Sequence, residues 1–140
     1  MADVLQKFLP PADMPDFHRP FWEALKQHRL ELQSCDNGHL RFIPTEICPD
    51  CGSEQWSWKQ VSGRGTVYSY TVVHRGPTPA YQADAPYIIV HVELEEGPRL
   101  ISNLLECDPA SVAIGMPVEV TFLDADKDWT LYYFLPRKVS

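Results

Sequence analysis

The chain has 140 residues, 44% of them hydrophobic, and a formal net charge of −7. That length supports one small domain, or two very small ones sharing a core, and excludes a second full-sized domain. The acidic balance weighs against a surface built to hold nucleic-acid phosphates, and with no run of about 18 apolar residues and no leader-like segment, neither a membrane span nor a secretory signal is readable. A cytoplasmic location is therefore expected. Four cysteines are present. The Cys48-x-x-Cys51 spacing favours metal over a disulfide framework.

Residues 1–15 hold no periodicity beyond the Pro10-Pro11 pair, so they read as an irregular arm, ordered only if something packs on Leu5, Phe8 and Leu9. Next, Phe17, Phe21, Trp22 and Leu25 recur at helical spacing, Pro20 is tolerable in a first turn, and Lys26, His28 and Arg29 lie late, as the helix dipole prefers. This predicts a short amphipathic helix over 19–29. "RLELQSC" then alternates and leads through a short "LRFIP" strand to "CPDCG", the layout of a zinc ribbon with a knuckle at the tip of each hairpin.

From Gly63 the character changes to long alternating segments: "RGTVYSYTVVHR", "PYIIVHVELEE", "RLISNLLE", "PVEVTFLD" and "WTLYYFLP". A proline-containing loop, "GPTPAYQADA", separates the first two, and Glu96-Gly97 turns between the second and third. In "CDPASVAIGM", Asp108 can cap a single turn before Gly115 reverses the chain. Five antiparallel strands with one interruption between the third and fourth match a partly open OB barrel, although a five-stranded sandwich fits the same periodicity. The expected fold is mainly β: arm and helix over 1–29, ribbon over 30–62, five-stranded OB-fold barrel over 63–140.

The usual ribbon presents two Cys-x-x-Cys-Gly knuckles whose thiolates hold zinc, which supplies folding energy that so small a core lacks. The second knuckle fits as Cys48-Pro49-Asp50-Cys51-Gly52; the first reads Cys35-Asp36-Asn37-Gly38-His39, as if a cysteine before the glycine had been deleted. Either His39 closes a set made of Cys35, His39, Cys48 and Cys51, or the ribbon has lost its metal and is held by packing of Leu40, Phe42, Ile47, Trp56 and Trp58. A closed four-ligand site would be structural, with no position left for water. Cys107 lies far along the chain at a strand end and reads as a buried, unreactive thiol.

No G-x-S-x-G elbow, H-E-x-x-H, P-loop or G-x-G-x-x-G is present. On the strand from Thr66 to His74, strict alternation puts Tyr68, Tyr70, Val72 and His74 on one face, expected to pack in the core, with a ligand platform as the alternative. Arg64 begins this strand and His74-Arg75 end it; they are the candidates for contacting phosphates, since guanidinium groups bind phosphate bidentately. Strand-end arginines are more often simply solvated. Glu93, Glu95 and Glu96 read as a solvated hairpin.

The order "PFWEAL", "LELQSC", "RFIPTEICPDCGS", "VSGRGTVYSYTVVHR", "APYIIVHVELEEGPRLISNL" and "IGMPVEVTF", spanning residues 17 to about 135, closely resembles the zinc-ribbon/OB-fold proteins catalogued as domain-of-unknown-function family thirty-five. The resemblance implies a helical N-terminus, a rubredoxin-like ribbon with structural zinc, and an OB barrel. It further implies a non-catalytic accessory subunit of a thiolase-like protein in acyl-CoA metabolism, where the partner performs thiolysis, retro-aldol cleavage of steroid side chains or aromatic acyl groups, or acyl transfer. A heterotetramer is expected because thiolase-like proteins are dimeric, and the arm and helix, through Phe17, Phe21 and Trp22, are the expected docking elements together with the ribbon. A free-standing acyl-CoA binder and a single-stranded nucleic-acid module are the alternatives. The shortened first knuckle departs from the family pattern.

Overall fold

The computed structural model describes residues 9–139; Leu5 and Phe8 of the expected docking arm lie outside them. A 3-10 turn over Asp16–His18 leads into helix α1, Arg19–Lys26, with Pro20 in the first turn, where its missing N–H is an orphan in any case. Phe21, Ala24 and Leu25 form the buried face. The helix stops three residues short of the expected end. His28 adopts φ 57°, and the N–H groups of His28 and Arg29 donate back to the carbonyls of Leu25 and Ala24. This is a Schellman closure built on histidine where glycine is usual. His28 is fixed there by a 2.9 Å hydrogen bond from Nε2 to Asp124 Oδ1 and by stacking on Phe122.

The ribbon is a three-stranded antiparallel sheet in the order β2-β1-β3, from β1 (Glu31–Cys35), β2 (Leu40–Arg41) and β3 (Trp56–Gln60). The "LRFIP" strand shrinks to two residues, whereas Trp56 and Trp58, assigned from sequence only to packing, lie on a full strand opposite Cys35 and Gln33. Gln33 is fully buried and organises the loop leading to the second knuckle. Its Oε1 accepts from Arg41 Nε at 2.9 Å and from the Thr45 N–H at 2.8 Å, while Arg41 Nη2 donates to the Thr45 carbonyl.

The barrel comprises β4 (Arg64–Val73), β5 (Tyr87–Leu94), β6 (Arg99–Leu104), β7 (Pro117–Asp124) and β8 (Thr130–Pro136). It closes in the order β4-β5-β6-β8-β7, with β6 and β8 parallel and the other pairs antiparallel, as an OB barrel requires. A short helix α2, Pro79–Gln82, capped by Thr78, sits in the proline-containing loop. Asp108 caps its turn as expected, accepting from the Ala110 N–H at 2.9 Å. At Gly65 β4 passes so close to β5 that a Cβ would strike the Glu93 carbonyl oxygen.

One hydrophobic cluster unites all three parts: Phe21 and Leu25 of α1, Leu30 and Leu32 at the ribbon, and Val67, Val90, Val92, Leu94, Val118 and Phe134 of the barrel. Phe21 is 3% exposed and packs on Trp22, Phe42 and Tyr132, so it is a junction residue of the core and not part of a docking surface. The strict alternation expected along β4 also fails. A β-bulge between Val67 and Ser69 shifts the register, so that Tyr70 comes opposite the buried Val90 and no longer shares a face with Tyr68; both are exposed, Tyr68 at 46% and Tyr70 at 41%, instead of packed in the core. Tyr68 stands beside His91 with the Arg99 guanidinium 3.7 Å over its ring. Among the described residues no helix is long and apolar enough to cross a membrane.

Candidate metal centre and phosphate-contact residues

Both knuckles are hydrogen-bonded turns of the same plan. In the first, Cys35 N–H donates to the His39 carbonyl and Gly38 N–H to the Cys35 carbonyl; in the second, Cys48 N–H donates to the Ser53 carbonyl and Gly52 N–H to the Cys48 carbonyl. Gly38 and Gly52 carry φ of 84° and 75°, the left-handed conformation that turns each knuckle. The first turn is one residue shorter. The residue after its glycine, His39, consequently faces the metal position, whereas in the second knuckle that place belongs to Ser53, whose hydroxyl reaches across to Asp36.

The thiol sulfurs of Cys35, Cys48 and Cys51 and a ring nitrogen of His39 lie within 4.8 Å of one another. The Cys35 and Cys51 sulfurs are 3.8 Å apart, and His39 Nδ1 lies 3.3 Å from Cys35 Sγ and 3.8 Å from Cys48 Sγ. A tetrahedral zinc with its usual bond lengths needs about 3.8 Å between sulfurs and about 3.6 Å between sulfur and nitrogen. These three separations lie close to the values zinc needs, and the sulfur separation is far beyond the roughly 2.05 Å of a disulfide.

Hydrogen bonds to sulfur support this set. Asn37 Nδ2 donates to Cys51 Sγ and the His39 N–H to Cys35 Sγ, each at 3.3 Å. The Asn37 bond, helped by the Ser53 N–H, brings the Cys51 thiol down to about 6, while burial pushes the Cys35 thiol up. N–H groups aimed at thiolates stabilise the negative charge that zinc binding requires. Asn37 went unnoticed in the sequence because a turn asparagine has a sufficient local reason to be there. With four donors the site is closed and its zinc structural.

The three phosphate-contact candidates do not form one site. Arg64 and His74 sit at opposite ends of β4, about 30 Å apart at strand rise. Arg64 is engaged at 3.0 Å by Glu95, with Glu96 and Glu119 adding negative charge nearby, so it is a poor anion ligand. His74 and Arg75 are exposed and make no ion pair among the described residues. The hairpin acids are likewise engaged, Glu93 with Arg99 and Glu96 with the Ser62 N–H. Cys107 is half-buried; desolvation, then Asp108, raises its thiol, in keeping with an unreactive group.

Two family profiles match consecutive stretches: the ChsH2 rubredoxin-like zinc ribbon domain over residues 22–57 and the ChsH2 C-terminal OB-fold domain over 58–123. A probable enoyl-CoA hydratase alpha subunit of Thermomonospora curvata is 46% identical over 118 residues, 83% of this chain; the chain spans only 36% of that relative's length. A DUF35 domain-containing scaffold protein of Pyrococcus furiosus is 35% identical over 81% of this chain and 85% of its own length. The benzoylsuccinyl-CoA thiolase subunit BbsA of Geobacter metallireducens is 36% identical over 66% of this chain and 63% of its own. Among solved structures, a chain of the Ltp2-ChsH2(DUF35) aldolase superposes with a TM-score of 0.81 at 42% identity, over 91% of this chain and 98% of that one.

Proposed function

Because this chain belongs to the DUF35 family of zinc-ribbon and OB-fold proteins, we propose that it is an accessory subunit that docks on a thiolase-like enzyme and supports cleavage or transfer at an acyl-CoA thioester. The observation that carries this reading is the likeness, along nearly the whole chain, to one chain of a two-component aldolase. The names of the other relatives, a scaffold protein and a thiolase subunit, point the same way. Here Cys35, His39, Cys48 and Cys51 hold zinc, which locks the two knuckles and the loop between them. The partner supplies the reacting side chains. This chain contributes by orienting the thioester and excluding water where the two proteins meet.

With Phe21 committed to the core, the docking surface consists of Phe17 and Trp22, both half-buried, together with Ile43 and Ile47, which project 60% and 52% exposed from the ribbon loop. His74 and Arg75, without a carboxylate partner among the described residues, are the residues left to meet CoA phosphates. A reducing, cytoplasmic setting suits four cysteines that form no disulfide, and a heterotetramer follows if each subunit of a dimeric partner takes one copy.

The test is affinity purification of this chain from its native lysate at moderate salt, with mass spectrometry of the eluate. A near-stoichiometric thiolase-like protein, lost when Ile43→Asp and Ile47→Asp are combined, is the expected result. A monomeric wild-type chain that binds CoA unaided would replace this reading with that of a free-standing binder.

A further inference from the structure

At the end of the barrel where β4 and β5 are joined through α2, a cavity of about 470 Å³ opens between that connection, the end of β6 and β8. Its walls are largely apolar, with Pro86, Ile88, Leu104 and Pro109 among them. The size falls within the range of small-molecule sites, about 300–1,000 Å³. Neither the zinc site nor the proposed docking residues contribute to it.

Tyr133 lines this cavity. It is 8% exposed, and its hydroxyl makes no hydrogen bond among the described residues. The hydroxyl is not among the buried polar atoms that lack a partner, so it is open to the space beside it, and the space that Tyr133 lines is this cavity. Burial, then the neighbouring Tyr81 and Asp84 of the same lining, raises its ionisation, so the phenol keeps its proton as a hydrogen-bond donor. A second polar group is poised in the same way: Asn103 donates its Nδ2 to the Ile88 carbonyl at 3.1 Å, and its Oδ1 accepts nothing from the described residues.

Charge narrows what can enter. Among the described residues the lining carries Glu106 and Asp84 and no lysine or arginine, which disfavours phosphates and carboxylates and so the CoA moiety. We propose that this cavity binds an uncharged, predominantly apolar molecule or acyl group carrying a carbonyl oxygen, which accepts a hydrogen bond from the Tyr133 hydroxyl. The apolar walls supply affinity and the phenol fixes orientation. The proposal stands on the cavity alone, so a failed co-purification leaves it untouched.

The probe is Prodan, a neutral naphthyl ketone whose emission shifts to the blue in apolar surroundings, titrated into the zinc-loaded full chain. Saturable one-to-one binding is expected, displaced by 2-acetylnaphthalene and not by 2-naphthoate, with ligand-induced shifts at the Asn103 side-chain amide in the NMR spectrum. Tyr133→Phe keeps the ring and is expected to weaken binding about tenfold, the usual effect of one buried hydrogen bond. Cys107→Phe, which fills the cavity from its rim, is expected to abolish binding at an unchanged melting temperature. Non-saturating uptake of Prodan, equal displacement by 2-naphthoate, or unaltered affinity in Tyr133→Phe would each overturn the proposal.

Discussion

Replacing Phe21 by alanine separates a core residue from an interface residue, the two roles between which sequence and structure disagree. The ring is 3% exposed, with centroids 5.3 Å from those of Trp22 and Phe42 and 5.8 Å from that of Tyr132. A buried phenylalanine removes about 200 Å² of largely apolar surface from water. At about 25 cal/mol/Å², the atoms lost beyond Cβ amount to about 4 kcal/mol. That lies inside the roughly 3–5 kcal/mol measured for such truncations in other cores. With an unfolding entropy of about 2.1 cal/mol/K per residue, a chain of 140 residues has about 0.29 kcal/mol/K, so the melting temperature falls by about 14 °C. The assay is calorimetry or thermal circular dichroism at fixed free zinc, since metal bound to the native state adds its own stabilisation. A fall of less than about 3 °C, accompanied by loss of partner binding, would refute the reasoning and return Phe21 to the interface.

Three further outcomes are expected. His39→Ala removes one of four donors, so zinc content measured by mass spectrometry falls well below one per chain and the melting temperature drops; unchanged zinc would sink the Cys3His assignment. Gly65→Ala forces a methyl group onto the Glu93 carbonyl, a backbone atom that cannot swing aside, and is expected to cost about 1–3 kcal/mol in chemical denaturation. The bonds from His28, then from Thr130, hold the Asp124 carboxyl below its ordinary 3.8. A depressed carboxylate stabilises the fold above its unfolded pKa and loses that effect as pH falls through the folded value. The melting-temperature gap between wild type and Asp124→Asn should thus be present near pH 6 and close on acidification below the ordinary value, zinc release being common to both proteins.

The strands of the barrel were legible because a one-sided core imposes a period of two, and "YIIVHVEL" buries every second residue as that period demands. The helix start was legible from Pro20, and the second knuckle from its spacing. Its end was not, since nothing local marks His28 for the left-handed conformation that Asp124, 96 residues away, and Phe122 hold in place. The face shared by the two tyrosines of β4 was misread for a related reason: a bulge is a property of two paired strands, and one extra residue parts Tyr68 from Tyr70, which no period of two foresees.

The sequence by itself determined the order of ribbon and barrel, the four candidate ligands and the acidic character, each of which rests on spacing or composition within short windows. Only the tertiary structure decided that Phe21 is interior, that Arg64 is tied to Glu95 while His74 and Arg75 are exposed, and that Tyr133, Asn103 and Cys107 enclose one space. These outcomes depend on which surfaces meet when a closed barrel, a ribbon and a helix share one core, and such contacts join residues whose separation along the chain carries no periodic signal.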